Sequence, residues 1–283
     1  MVTTTGTPRT VLKVTVEAAV VSFRYPHFLI GRQPTFDMPP PSTIYGHVAS
    51  ALGEWPDRAL RFAYVFQSRC RAADLEHQHV INATSGKFPG EIVDPLWTPP
   101  EPVGKKKPTK KELTPRLLEK TTEAVVQPHV RDFLFDVRLE LYLDDLSLES
   151  AFRSPVFAVV LGRSQDLATI RKVERVELTP GRKGYLDNTL LPAGLRNRLP
   201  WGVTTLMPSY IGPAPDREAV FAPYIVLRDR VYVGETEGLG SRRVLEIEGD
   251  EPPEWYVDPT GPVEKDRSRL LLFQTIVPGK GTT

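Results

Sequence analysis

SFRYPHFLIGRQPTFDMPPPSTIYGHVASALG, residues Ser22–Gly53, decides how the rest of the chain is read. Pro39, Pro40 and Pro41 hold the backbone extended, because each proline fixes its own φ and disfavours helix in its predecessor. Ser42 follows as the predicted N-cap, with a hydroxyl placed to accept from an orphan backbone N–H. The mixture of small and apolar residues at Thr43, Ile44, Tyr45, Gly46, Val48, Ala49, Ala51 and Leu52 predicts a helix over Thr43–Gly53 that packs close to a sheet. A helix start of this kind offers backbone N–H groups and hydroxyls to a phosphate. Arg24, Arg32 and the ring of Tyr45 lie nearby in sequence. Cations, a helix N-terminus and an aromatic together suit a nucleic-acid backbone. Phe36 and Tyr45 are candidates to stack on splayed bases, although aromatic residues more often fill a core.

Outward from this segment, Val11–Phe23 alternates and is β-branched, so it is predicted as a strand. Arg61–Gln67, continuing toward His79, is predicted as a second. Arg131–Leu143 reads RDFLFDVRLELYL, with Phe133, Phe135, Val137, Leu139, Leu141 and Leu143 on one face and Asp132, Asp136, Arg138, Glu140 and Tyr142 on the other, a half-buried strand. Leu146–Phe152 is a short predicted helix and Pro155–Leu161 a buried predicted strand. The order strand, helix, strand, strand, helix, strand is that of an α+β, ferredoxin-like or RNA-recognition domain over residues 1–168. Ile170–Leu178, Val220–Leu227, Arg230–Val233, Val244–Ile247 and Leu270–Val277 read as strands of a β-rich C-terminal part over residues 169–283. Residues 80–128 interrupt the N-terminal order. They include Lys105, Lys106, Lys107, Lys110 and Lys111, and a long insertion in a compact domain is usually functional or mobile.

The chain has 283 residues, 40% of them hydrophobic and 25% charged, which is the composition of a globular protein with a full core. The net charge is +1, so a nucleic-acid surface has to be local, with acids segregated elsewhere. Cys70 is the single cysteine, which leaves no internal disulfide and suits a reducing cytoplasm. No apolar run reaches membrane-spanning length, and Met1–Arg9 does not read as a signal peptide. The 28 prolines cluster at 95–115, 200–223 and 252–262, predicting long ordered loops.

Three segments in order resemble one protein family. They are Phe23-Arg24-Tyr25-Pro26 with Thr35–Gly46 (TFDMPPPSTIYG), then Gln127–Val137 (QPHVRDFLFDV), then Leu161–Ala168 (LGRSQDLA). Together they resemble the CRISPR-associated Cas five family, the subunit of type I Cascade complexes that holds the 5′ handle of the CRISPR RNA. The resemblance implies an RNA-binding subunit that touches the backbone subunit and the large subunit, near the protospacer-adjacent motif of target DNA. It also implies a projecting thumb in place of the 80–128 insertion, carrying the lysine run. On this reading Arg24, Arg32, Ser42, Thr43, Tyr45, Gly46, Arg131, Arg163 and Ser164 are the candidate RNA-binding residues. Arg163 is the foremost, since it follows Leu161-Gly162 where a loop also offers N–H groups.

Other constellations carry less. His77 and His79 share a strand face, but Cys70 falls on the opposite face and no further ligand has matching spacing, so no metal and no cofactor are expected. His27, His47 and His129 are candidate acid–base groups. Some members of the resembled family cleave precursor RNA with a tyrosine, a lysine and a histidine, a trio with no positional match here. Gly238–Arg243 (GLGSRR) reads as a hairpin turn, because it lacks the strand-to-helix setting of a nucleotide loop. A non-catalytic RNA clamp is therefore the leading reading. A metal-independent endoribonuclease and an interaction module without RNA are the alternatives.

Overall fold

The computed structural model describes residues 7–28, 31–81, 98–100, 108–109, 112, 124–215, 217–234, 243–245 and 255–282. Its elements begin with β1 (Arg9–Val21), β2 (Arg32–Gln33), α1 (Pro41–Leu52), β3 (Leu60–Ile81), β4 (Ala124–Leu143), α2 (Glu149–Arg153) and β5 (Ala168–Pro180). There follow β6 (Gly184–Leu186), β7 (Thr189–Pro192), β8 (Val203–Ile211), β9 (Ala219–Leu227), β10 (Val231–Val233) and β11 (Val244–Leu245). The last are β12 (Trp255–Val257), β13 (Val263–Glu264), β14 (Arg267–Ser268), β15 (Leu270–Leu272), β16 (Gln274–Val277) and β17 (Gly281–Thr282). No helix among the described residues is long and apolar enough to cross a membrane. The chain forms two compact units. Met1–Leu29, Gln33–Ala73 and Asp132–Thr283 make the larger, and Ile30–Arg32 with Asp74–Arg131 make the smaller. The lysine run at 105–107 and 110–111 and most of Gly238–Arg243 lie outside the described residues.

The main sheet runs β15-β12-β5-β1-β4-β3-β16-β17, with β1 antiparallel to both β4 and β5. β1 sits at its centre because it is apolar on one face and mixed on the other. Leu12, Val14, Val16 and Ala18 face the first core, with Ile44, Tyr45 and Val48 of α1 and Phe152 of α2. Val11 joins Ala63, Val65, Tyr142, Val176, Leu271 and Phe273 in a smaller cluster on the opposite face. β7, β9 and β8 form a second sheet, and β9 serves two cores at once. Tyr224 and Val226 turn to the first core, Ile225 and Leu227 to a second with Leu186, Val231 and Trp255. Residues on both sides of the expected 168/169 boundary therefore share the first core.

Several expectations are corrected. α1 begins at Pro41, and its N-cap is Pro40 with no side-chain cap bond, so Ser42 is not the cap. A proline is well placed at the first helical position because its missing N–H would have had no partner there. Pro155–Leu161 is not a strand. The N–H groups of Val156 and Phe157 donate instead to the carbonyls of Ala51 (3.1 Å) and Ser50 (3.3 Å), capping the C-terminus of α1. Gly53 ends that helix at φ 83°. A Cβ there would lie 2.8 Å from the Val156 side chain, so this glycine is required twice over. The strand that flanks β1 is β5, which begins only at Ala168. The alternation expected through β4 also breaks. Asp136 adopts φ 52°, and Leu134 rather than Phe133 or Phe135 enters the core, leaving Phe135 exposed.

The segment between α2 and β5 is organised by one carboxylate. Asp166 is buried, and its Oδ2 accepts from the backbone N–H of Ser22 (2.9 Å) at the end of β1 and of Arg163 (2.9 Å). The Arg163 guanidinium donates to the same group, Nη2 to Oδ1 at 2.7 Å. Gly162 has φ 108°, and a Cβ on it would sit 2.8 Å from the Ser22 carbonyl oxygen. LGRSQD is thus a turn pressed against the end of β1.

A second buried carboxylate, Asp258, accepts from Lys13 Nζ at 2.7 Å and from the Tyr142 hydroxyl at 2.9 Å. Burial opposes its charge, yet the hydrogen bonds from Lys13 and Thr260 outweigh burial and hold it below its usual value.

Two stability measurements follow from these contacts. Asp166→Ala should lower the unfolding free energy in urea by about 2–4 kcal/mol, because it strands buried donors. Ser42→Ala should stay within about 0.5 kcal/mol, since no cap is lost. Equal effects would refute this account of the turn. Asp258→Asn should cost about 3 kcal/mol at neutral pH by leaving Lys13 short of its partner. Because the folded value of Asp258 is depressed, that deficit should persist above about pH 4 and shrink as acid protonates the parent.

Candidate nucleic-acid interface

The sequence-predicted residues do not converge on one surface site. Tyr45 is fully buried, its hydroxyl donating to the Pro56 carbonyl and its ring packed on Tyr210 at 5.2 Å and Trp55 at 5.7 Å. Burial pushes its phenol up to about 12. It is a core residue, closed to a base. Phe36 is buried as well, stacked on Tyr25. Arg131 is nearly buried and paired with Glu76 in the smaller unit. Arg163 is engaged by Asp166. Ser42, Thr43 and Gly46 are half-buried at the start of α1, and Ser164 is exposed in the 161–166 turn. Arg24 is exposed in the larger unit, bridged through its backbone to Thr35, while Arg32 is exposed in the smaller.

The histidines separate too. His47 of α1 is buried, its Nδ1 3.2 Å from the Val160 carbonyl oxygen, and burial lowers its pKa. His129 is buried, and His27 is exposed and stacked on Phe221. Cys70 is exposed, and no metal-binding cluster occurs among the described residues.

What the structure does bring together is a set of arginines on the open face of the main sheet. The register pairs Glu17 of β1 with Arg138 of β4 and with Thr169 of β5. A bulge in β5 between its partners of Thr15 and Val16 adds Arg171 to the same neighbourhood. Arg69 of β3 and Asp136 of β4 complete the rim of a groove of about 820 Å³ whose walls also carry Gln67, Ser68 and Asn188. Most of its lining can hydrogen-bond, the exceptions being Ala18, Ala19, Val137 and Leu167.

Electrostatics in the groove are balanced but loosely held. Glu17 accepts from Arg171 Nε at 2.6 Å and from Arg138 Nη1 at 2.9 Å. Arg171, and then Arg138, hold its carboxyl below the usual carboxylate value. The side chains of Arg69, Arg138 and Arg171 are 75%, 47% and 62% exposed. Exposed pairs of this sort contribute about 0–1 kcal/mol, so a phosphate can replace Glu17 at low cost. An arginine fork matches a phosphate in two directions at once. The sequence signal for this site was only partial. Arg138 was visible on the polar face of its alternating strand, but neither Glu17 nor the bulge that delivers Arg171 was read from sequence.

The family model described as "CRISPR-associated protein (Cas_Cas5)" matches residues 11–218. Curated proteins give no match. Among solved structures, a chain described as "CRISPR RNA-guided surveillance complex" is 12% identical with a TM-score of 0.42, covering 86% of this chain and 95% of that one. A chain of the "Type III-B Cmr-beta bound to cognate target RNA and AMPPnP" is 11% identical with a TM-score of 0.42, covering 77% of this chain and 85% of that one. "A CRISPR protein from Archaeoglobus fulgidus" is 11% identical with a TM-score of 0.37, covering 93% and 97% respectively. Likenesses this distant carry no argument about what the chain does. The family model is different in kind, because it spans the Pro39–Pro41 segment, the β4 segment and the LGRSQD turn in one continuous match; this chain belongs to the CRISPR-associated Cas five family.

Proposed function

We propose that the chain is the non-catalytic RNA-binding subunit of a type I CRISPR surveillance complex of the Cascade kind. In this reading it clamps the 5′ handle of the CRISPR RNA, joins the backbone and large subunits, and serves antiviral DNA interference in the cytoplasm near the protospacer-adjacent motif of the target. The observation that carries the reading is the family match over residues 11–218. Strand order β5-β1-β4-β3, with α1 and α2 on one face, supports a ferredoxin-like reading of the N-terminal part. In the same proposal residues 1–168 carry most of the RNA surface, 169–283 are its β-rich support and add Arg171 to the groove, and about 80–128 form a thumb. The open-face groove supplies exchangeable arginines for the RNA backbone. Of the three candidate acid–base histidines, His47 and His129 are buried and not presented to a substrate, which favours the clamp over the endoribonuclease, while His27 is exposed but stacked on Phe221.

Three measurements test this reading. Incubation of the purified chain with CRISPR repeat RNA in EDTA should leave the RNA intact and bound; cleavage would instead establish the endoribonuclease. Replacing Arg69, Arg138 and Arg171 with Gln should weaken binding and reduce the salt slope by about 2, at roughly 0.7 per phosphate on a single strand. Glu17→Gln should act oppositely and tighten binding. Unchanged affinity in both would remove the groove from the interface. Lys105, Lys106, Lys107, Lys110 and Lys111 changed together to Gln should flatten the salt slope of the assembled ribonucleoprotein while leaving the melting temperature in place. An unaltered slope would make the run a solvated loop.

A further inference from the structure

A second cavity of about 370 Å³ lies elsewhere in the larger unit, with Trp201, Val203 and Val226 as apolar lining and Asp37, Arg228, Asp229 and Arg243 as polar lining. Its volume is at the small end of the range for ligand pockets. The parts come from three distant stretches. Asp37 belongs to the TFDMPPPS segment, Trp201 to the loop before β8, and Arg228 and Arg243 to residues that flank β10.

The aromatic and the carboxylate are held in place by the chain itself. Gly202 has φ 87°, and a Cβ there would lie 2.7 Å from Ile225 Cγ2 and 2.9 Å from the Val226 carbonyl oxygen, so the loop holding Trp201 lies flat on β9. Arg196 Nη1 donates to the carbonyls of Trp201 (3.5 Å) and Gly202 (3.1 Å). Trp201 is half-buried against the second core. Asp37 is paired with Arg71, which also donates to the Thr35 carbonyl at 2.8 Å. The Arg243 carbonyl accepts from the Tyr232 N–H at 2.9 Å. By contrast the two guanidinium groups are outward and loosely held. Arg228 is 55% exposed and 3.8 Å from Asp37, and Arg243 is 44% exposed and paired with Asp229, which is 72% exposed.

An aromatic platform, a fixed carboxylate and two exposed arginines are the separate requirements of one nucleotide. The indole offers a face to a base, the carboxylate accepts from base N–H groups, and the arginines meet phosphate. We propose that this cavity holds a single unstacked nucleotide of the bound RNA, its base on Trp201 and against Asp37, its phosphate on Arg228 and Arg243. The inference rests on the RNA-binding reading above, and it adds Trp201, Arg228 and Arg243, which are distant in sequence from the residues expected to touch RNA.

The test uses the full chain and labelled RNA of the CRISPR repeat from the same source. Trp201→Ala should weaken binding by about 5- to 100-fold, and Trp201→Phe should restore most of it, because stacking tolerates a smaller ring. Arg228→Gln with Arg243→Gln should weaken binding and lower the salt slope by about 1 while leaving the melting temperature unchanged. If Trp201→Ala does not fold, the phenylalanine and double-glutamine variants decide. Parent-like affinity in the double-glutamine variant overturns the pocket. A parent chain that binds no repeat RNA overturns the RNA reading itself, whereas a parent that binds and variants that bind equally well overturn the pocket alone.

Discussion

The carboxylate of Asp166 is the contact on which the surrounding architecture hangs. It ties the last residues of β1 to the turn that precedes β5, the strand that must return beside β1. A buried carboxylate is tolerated only when its charge is met, and here two backbone N–H groups and the Arg163 fork meet it. The turn cannot move away from β1, because Gly162 lies against the Ser22 carbonyl with no room for a side chain. Upstream of the turn, the same connection donates N–H groups to the end of α1. One short loop therefore fixes a helix end, a strand end and the start of the next strand. The arginine that looked most like an RNA ligand is occupied in doing so.

Functional chemistry is left to the faces this frame exposes. β1 buries one side under the helices, and its other side changes character along its length. It is apolar at Val11, carries the Lys13–Asp258 pair, and ends at Glu17 between two arginines. Buried pairs near one end are structural, since removing a partner leaves a charge without solvent. Exposed pairs at the other end are cheap to open. The division between scaffold and interface is thus a division in solvation rather than in residue type.

Much of the frame was legible in sequence. Alternation marked β1 and β4, with β-branching added in β1, and the proline run marked the entry to α1. The misreadings share a cause, which is that local pattern is silent about which backbone groups are already used. Pro155–Leu161 has the composition of a buried strand, yet two of its N–H groups cap α1. Ser42 is a good cap by residue type, but Pro40 and Pro41 already occupy the helix start. Asp136 at positive φ reverses which of its neighbours point inward, and nothing in RDFLFDV announces that reversal. The site residues were harder still. Arg69, Arg138 and Arg171 come from three strands and meet only through register and a bulge.

A net charge of +1 has to be squared with the proposed polyanionic partner. Attraction at long range depends on total charge, and this chain has almost none to offer. Contact at short range depends on which cations can shed their present partners. In the groove, Glu17 holds Arg138 and Arg171 while remaining open to water, so an incoming phosphate replaces one oxygen acceptor with another and the carboxylate is rehydrated. Around Asp166 and Asp258 the same exchange would strand a buried carboxylate, and those cations stay where they are. Specific contact can therefore coexist with weak nonspecific attraction, because only a ligand that reaches the groove gains the exchange.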